Sequence, residues 1–187
     1  MAPHIGTKDI LWYESLESTN SELRKRVGSL DNLSIVAAKS QTSGRGQGDH
    51  KWFSTPDTNL TFSILLKFKP GELKAVDEQI INSFATPSIR SFLAEEGVES
   101  WVKQPNDIYV GDRKICGILV ENVLEGPWVI YSIVGIGLNI NQENFPDDLP
   151  NPISLFQLTG KKYPLEQTLE RIHDLCKKNW DIVFRHS

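Results

Sequence analysis

The chain is poor in sulfur: its 187 residues include two cysteines and one methionine. Cys116 and Cys176 lie far apart in unlike contexts, which suits a reducing compartment better than a disulfide or a metal centre. None of His4, His50, His173 and His186 stands at ligand spacing from either cysteine. Positive charge is not in excess. Twenty Lys and Arg against 24 Asp and Glu leave a net charge of −4, the wrong balance for a nucleic-acid binder, which needs a basic footprint. Any anion site must therefore be a local basic pocket in an acidic surface. No apolar run approaches the length of a membrane span. The start of the chain carries Pro3 and His4 and no signal-peptide stretch, so the expected location is cytoplasmic. Neither the dinucleotide fingerprint nor the phosphate loop with its terminal Lys-Ser/Thr occurs. No repeat, low-complexity segment or linker interrupts the chain. The expected organisation is one domain over residues 1–187, long enough to bury a core.

What is present centres on Gln41 to Trp52, where Gly44, Gly46 and Gly48 alternate with larger residues. Glycine adopts either sign of φ, so such a loop can turn its N–H groups inward onto an anion. Arg45 places a forked cation inside it, suited to carboxylate or phosphate. Trp52 closes it with a flat face on which a base could stack. A plain glycine-rich hairpin tip fits the same composition.

Around this loop, Ile10–Tyr13, 33–38 and 60–68 have strand character. Thr19 with Glu22 fits a capping box that opens a helix ended by Gly28. Alternatively, Ser18, Thr19 and Asn20 point polar groups at a small ligand from the donor-rich helix start. Leu73, Val76, Ile80 and Phe84, then Ile89, Phe92 and Leu93, have helical spacing, and Pro87 must kink that helix or split it. The middle is strand-rich: 108–110, a turn at Gly111-Asp112, a return strand over 114–121, and a long apolar strand over 128–140. Gly117 marks a bulge or a close backbone approach. Strands joined by tight turns imply antiparallel pairing rather than a doubly wound sheet. Ser154 caps a short helix ended by Gly160. Leu169, Ile172, Cys176 and Val183 form the stripe of a final amphipathic helix.

Four segments occur in order: Gly44-Arg45-Gly46 with Trp52; Lys103-Gln104-Pro105-Asn106-Asp107; Lys114 through Gly117 to Glu121; and Gly135-Ile136-Gly137-Leu138-Asn139. Singly each is weak, since a lysine beside a hairpin is usually a solvated surface group. Together, from Ser18-Thr19-Asn20 to Ser154-Leu155, they resemble the catalytic domain of biotin protein ligases. The resemblance implies an α+β fold, with a mixed, mostly antiparallel sheet backed by helices, akin to class II aminoacyl-tRNA synthetases. It implies activation of biotin by ATP and Mg²⁺ to biotinyl-5′-AMP, then transfer to a lysine of a biotin carboxyl carrier domain, with no nucleic-acid or membrane partner. It is also compatible with a homodimer.

By the same resemblance, Ser18, Thr19, Asn20 and Gln41 hold the ureido end of biotin. Arg45, Gly46, Gln47, Lys114 and Gly117 border its carboxyl end. Trp52 packs near the adenine, and Asn139 lies near adenine or ribose. Lys114, Arg45 and Lys103 are the catalytic cations. Asn106 and Asp107 support the nucleotide, with Asp107 the candidate Mg²⁺ ligand. The chain departs from the pattern in three places. Gln47, Gly48, Asp49 and His50 stand where arginines are common, and Gln104 replaces a tryptophan. The chain stops at Ser187, so the family's C-terminal small β-barrel is expected to be absent, as is an N-terminal DNA-binding domain. A lipoate or octanoyl transferase of the same superfamily, and a biotin sensor without catalysis, are the alternatives.

Overall fold

The computed structural model describes residues 4–5, 9–48 and 50–184. Asp49 lies outside the described residues, as do Pro3, His186 and Ser187, and for His4 only the backbone is described. The strands are β1 (His4–Ile5), β2 (Ile10–Leu16), β3 (Ile35–Gln41), β4 (Leu60–Lys67), β5 (Trp101–Lys103), β6 (Asp107–Val110), β7 (Arg113–Glu125) and β8 (Trp128–Leu138). The helices are α1 (Thr19–Arg26), α2 (Ile80–Glu95), α3 (Leu155–Thr159) and α4 (Leu165–Phe184). Among the described residues one sheet holds eight strands in the order β1-β2-β3-β4-β8-β7-β6-β5. Only β2 and β3 pair in parallel, joined by the α1 crossover. The other pairs are antiparallel, so the fold is the α+β, mixed and mostly antiparallel one expected.

Alternation along the strands separates the two faces of the sheet. Leu60, Phe62, Ile64 and Leu66 of β4 join Val134, Ile136 and Leu138 of β8 on one face. There α2 and α4 cover them with Phe84, Ile89, Phe92, Leu169, Ile172 and Trp180. On the other face the short helix α1 packs through Leu23 onto Tyr13, Val36, Ala38, Leu65 and Ile133. One short helix cannot cover eight strands, and the cleft described below opens on this face. Cys116 and Cys176 are buried and unbonded to each other, as expected. Among the described residues no helix is long and apolar enough to cross a membrane.

Two local expectations change and a third is narrowed. The helix expected from Leu73 begins only at Ile80, after a 3₁₀ turn at Ala75–Asp77. The β7–β8 hairpin captures the earlier residues. Leu73 O accepts from Val129 N at 2.9 Å, and Ala75 N donates to Pro127 O at 2.9 Å, which leaves Val76 exposed. Pro87 lies inside one continuous α2, so the helix is not split. The Thr19–Glu22 capping box does not form. Ser18 is the N-cap and makes no side-chain cap bond. Glu22 is drawn away by the Tyr13 hydroxyl at 3.1 Å and Arg26 Nε at 2.7 Å. In the final helix Trp180 continues the buried stripe, while Val183 is half-buried.

Candidate active site

The cleft on the α1 face has a volume of about 310 Å³, at the lower end of small-molecule sites. Its floor follows from strand register. Asp107 of β6, Gly117 of β7, Gly137 of β8 and Thr61 of β4 are successive cross-strand neighbours. The adjacent row is Leu119, Gly135 and Ser63. Residues paired in this way share one face, and three glycines in two neighbouring rows lower the sheet surface there.

Each glycine makes room for a particular side chain. A Cβ on Gly137 would overlap the Trp52 indole, and one on Gly117 would stand 3.0 Å from it. The close-approach reading of Gly117 therefore applies. A Cβ on Gly135 would overlap the amide of Asn20. Trp52 thus lies flat on a glycine floor, and Asn20 reaches down to the sheet from α1. The Trp52 indole Nε1 is buried with no hydrogen-bond partner among the described residues.

The glycine loop folds as a hairpin, with Arg45 bridging Lys51. Trp52 N donates to Gly44 O at 3.0 Å and Gly46 N to His50 O at 2.7 Å. Gly48 has φ 62°, which favours glycine. The hairpin reading thus describes the backbone, and Arg45, Gly46, Gln47 and Trp52 all border the cleft. Arg45 is held by Glu121, Nη1 to Oε1 at 3.2 Å. At the far wall Lys114 Nζ meets Asp107 Oδ1 at 2.8 Å and stands 5.8 Å from the Trp52 ring.

The opposite end is polar. Ser18, Thr19, Asn20 and Gln41 line it. Gln41 Oε1 accepts from Thr19 N at 2.8 Å. Thr19 and Ser63 share a hydroxyl bond at 2.7 Å, and Ser63 also bonds Asn20 Oδ1.

The cleft thus gathers most of the residues expected from the sequence, Gly117, Asp107 and Lys114 included. Lys103, Asn106 and Asn139 are not in its wall. The Lys103 ammonium stands 4.9 Å over the Tyr109 ring on the outer strands. Asn106 is buried and donates to Ile118 O. Asn139 is buried beyond Gly137; Nδ2 donates to Ile153 O at 3.0 Å, while Oδ1 has no partner among the described residues. Lys51, His50, Gln104 and Pro105 also line the cleft, although the sequence assigns none of them a binding role. Lys51 lies within the glycine loop as a further cation. Glu121 and Ser63 carried no signal of their own, since their partners are remote in sequence. Cys116, beside Gly117, is fully buried, and burial pushes its thiol well above the usual range, which removes it as a nucleophile. Among the described residues no group of three or more His, Cys, Asp or Glu could hold a metal.

Comparison with known proteins gives a consistent result. The biotin/lipoate A/B protein ligase family matches residues 12–139. The bifunctional ligase/repressor BirA of Bacillus spizizenii is 30% identical over 189 aligned positions, covering 100% of this chain and 56% of that protein. A biotin–[acetyl-CoA-carboxylase] ligase of Paracoccus denitrificans is 30% identical over 124 positions, covering 66% of this chain and 51% of its own length. The chain therefore spans about half the length of the curated relatives it matches. Among solved structures, a biotin protein ligase from Aquifex aeolicus in complex with biotin and ATP superposes with a TM-score of 0.81 at 28% identity, over 97% of this chain and 74% of that one.

Proposed function

Because this chain belongs to the biotin/lipoate A/B protein ligase family, we propose that it is the catalytic unit of a biotin–protein ligase. It would join biotin to AMP with release of pyrophosphate, then pass the biotinyl group to a lysine of a biotin-carrier domain. The observation that carries this reading is the polarity of the cleft. One end offers neutral hydrogen-bonding groups from Thr19 and Gln41. The other is bordered by Lys114, paired with Asp107, while Arg45, which shares Glu121 with Asn20, adds a second cation beside the polar end. A small bicycle with a urea at one end and a carboxylate at the other matches both ends. A lipoyl group has the carboxylate but no hydrogen-bonding edge on its ring, so the neutral polar end favours biotin.

In the first step a biotin carboxylate oxygen attacks the α-phosphorus of ATP and pyrophosphate leaves. Two anions must meet, so cations fixed in advance lower the barrier by opposing the charge that develops. Lys114 on β7 and Arg45 on the loop would do this. In the second step the neutral amine of the acceptor lysine attacks the acyl carbon. AMP leaves, the amine nitrogen loses its proton, and Lys114 would again face the acyl oxygen. The glycine hairpin, with Trp52 on the floor, would exclude water from the mixed anhydride between the steps.

The residues also suit the nucleotide and its metal. The buried, unpaired Oδ1 of Asn139 is an acceptor suited to an exocyclic amine of a base. Among the described residues Asp107 is the one carboxylate in the cleft wall, so Mg²⁺ would be held mostly by phosphate oxygens and water, its common mode. When bound, Mg²⁺ screens the triphosphate charge.

Pyrophosphate release is expected to require both biotin and Mg²⁺. Release at the same rate with and without biotin would rule out the ligase reading. A second expectation concerns Gln47, which borders the cleft as a neutral group. Gln47→Arg adds a charge-assisted donor over the adenylate and should slow loss of biotinyl-AMP to solution by about tenfold, the worth of one hydrogen bond to a charged group. An unchanged release rate in a rapid-filtration assay would show that Gln47 does not touch the intermediate.

A further inference from the structure

Glu121 is not part of the cleft wall, yet it holds residues that are. From β7 its carboxylate accepts from Asn20 Nδ2 at 2.8 Å. Arg24 and Arg45 flank it at 3.3 and 3.2 Å. Neither Glu121 nor Arg24 has a role in the chemistry above.

The contact with Asn20 has a directional consequence. A carboxylate only accepts, so the Asn20 atom facing it is the NH₂ group, and Oδ1 points the other way, to Ser63. Ser63 has one hydroxyl proton and two oxygen neighbours, Asn20 Oδ1 and Thr19 Oγ1. Oδ1 can only accept, so the Ser63 proton goes there. The Thr19–Ser63 bond must then be donated by Thr19. With its proton committed, Thr19 has only lone pairs to offer the cleft. Gln41 is fixed in a similar way: Oε1 takes the Thr19 N–H at 2.8 Å, which leaves the Nε2 donors. The inner end of the cleft therefore presents an acceptor beside a donor.

We propose that Glu121 is a positioning residue that sets this polarity through Asn20 and Ser63. The cleft then selects ligands carrying an N–H beside a carbonyl, as in a cyclic urea, over rings that offer no donor there. This rests on the biotin-ligase reading and names what fixes its ligand selectivity. Glu121→Gln replaces the pure acceptor with an amide that can donate or accept. Asn20 is then free to turn over, Ser63 to donate to Thr19, and Thr19 to donate to the ligand. Ser63→Ala cuts the same relay without touching Arg24 or Arg45.

The test is calorimetric titration of wild type, Glu121→Gln and Ser63→Ala with three ligands. These are biotin and the two cyclic carbamates in which one or the other urea N–H is replaced by oxygen. Wild type should bind biotin about a hundredfold more tightly than the weaker carbamate, because a ring oxygen facing lone pairs leaves both unsatisfied. In both variants that ratio should fall about tenfold or more while thermal melting stays cooperative. A purely structural role for Glu121 would weaken all three ligands equally and leave the ratio intact, overturning the proposal. A fall in Glu121→Gln alone would overturn it too, because the relay runs through Ser63. If wild type bound no biotin, the ligase reading itself would fail, and this inference with it.

Discussion

Lys114→Ala should lower single-turnover transfer of biotin to an acceptor domain by about a hundredfold or more, the usual cost of losing one fixed electrostatic donor. The structure explains why the position is fixed. Lys114 N donates to Asn151 O at 2.7 Å, Lys114 O accepts from Ile153 N at 3.0 Å, and the residue bridges Pro152. A backbone tied on both sides holds the side chain against Asp107 and over Trp52. The substitution removes none of these backbone bonds. The Lys114–Asp107 pair is partly exposed, at 30% for both side chains, so its loss should cost less than about 1 kcal/mol of stability. Melting should therefore change little while transfer collapses. Biotin binding should weaken less than transfer, because the polar end of the cleft is untouched. Lys114→Arg should rescue poorly, since a planar fork replaces a compact charge. Near-normal transfer by Lys114→Ala would remove it from the mechanism. Lys51, which borders the same cleft, would then be the cation to examine ahead of Lys103, which does not.

Gly135→Ala should weaken biotin binding by about a hundredfold. Gly135 lacks the positive φ that favours glycine, so alanine suits the backbone, and the conflict is purely steric. The added Cβ would overlap the Asn20 amide. Asn20 is buried and bonded to Ser63 and Glu121, so it cannot retreat without losing both bonds or lifting the start of α1. Displacing Asn20 also releases Ser63 and Thr19, so loss of about two ligand hydrogen bonds at about 1–1.5 kcal/mol each gives the expected fall, and overpacking should lower stability by about 1–3 kcal/mol. Gly28→Ala is the control, because a Cβ there meets nothing within 4 Å. It should leave both affinity and melting unchanged. Unchanged biotin affinity in Gly135→Ala would show that Asn20 and the groups it holds do not bind the ligand.

Much of this architecture was legible in the sequence because its signals are local. Alternation marked β4, the Gly111-Asp112 turn marked the β6–β7 hairpin, and Ser154 with Gly160 bounded α3. The glycine loop, the lysine of β7 and the glycine pair of β8 could each be picked out. Their meeting on one face could not, because register across β6, β7, β8 and β4 is a tertiary property. The same limit explains the misread cap. Thr19 and Glu22 have capping-box spacing, but Ser63 and Tyr13 compete for their side chains from other strands. Glu121 was visible only as the end of a motif, since its bond to Asn20 spans 101 residues. For Lys103, Asn106 and Asn139 the sequence signal is the motif alone. The structure sets Lys103 over Tyr109 and uses the amide N–H groups of Asn106 and Asn139 on backbone carbonyls, which leaves Asn139 Oδ1 free among the described residues.

The most direct test of the whole account is intact-mass spectrometry of a biotin-carrier domain incubated with this protein, ATP, Mg²⁺ and either biotin or lipoate. The account expects the mass of one biotinyl group on a single lysine with biotin, abolished by omitting ATP, and no gain with lipoate. A lipoyl adduct, or an unmodified carrier in the presence of biotin and ATP, would contradict it.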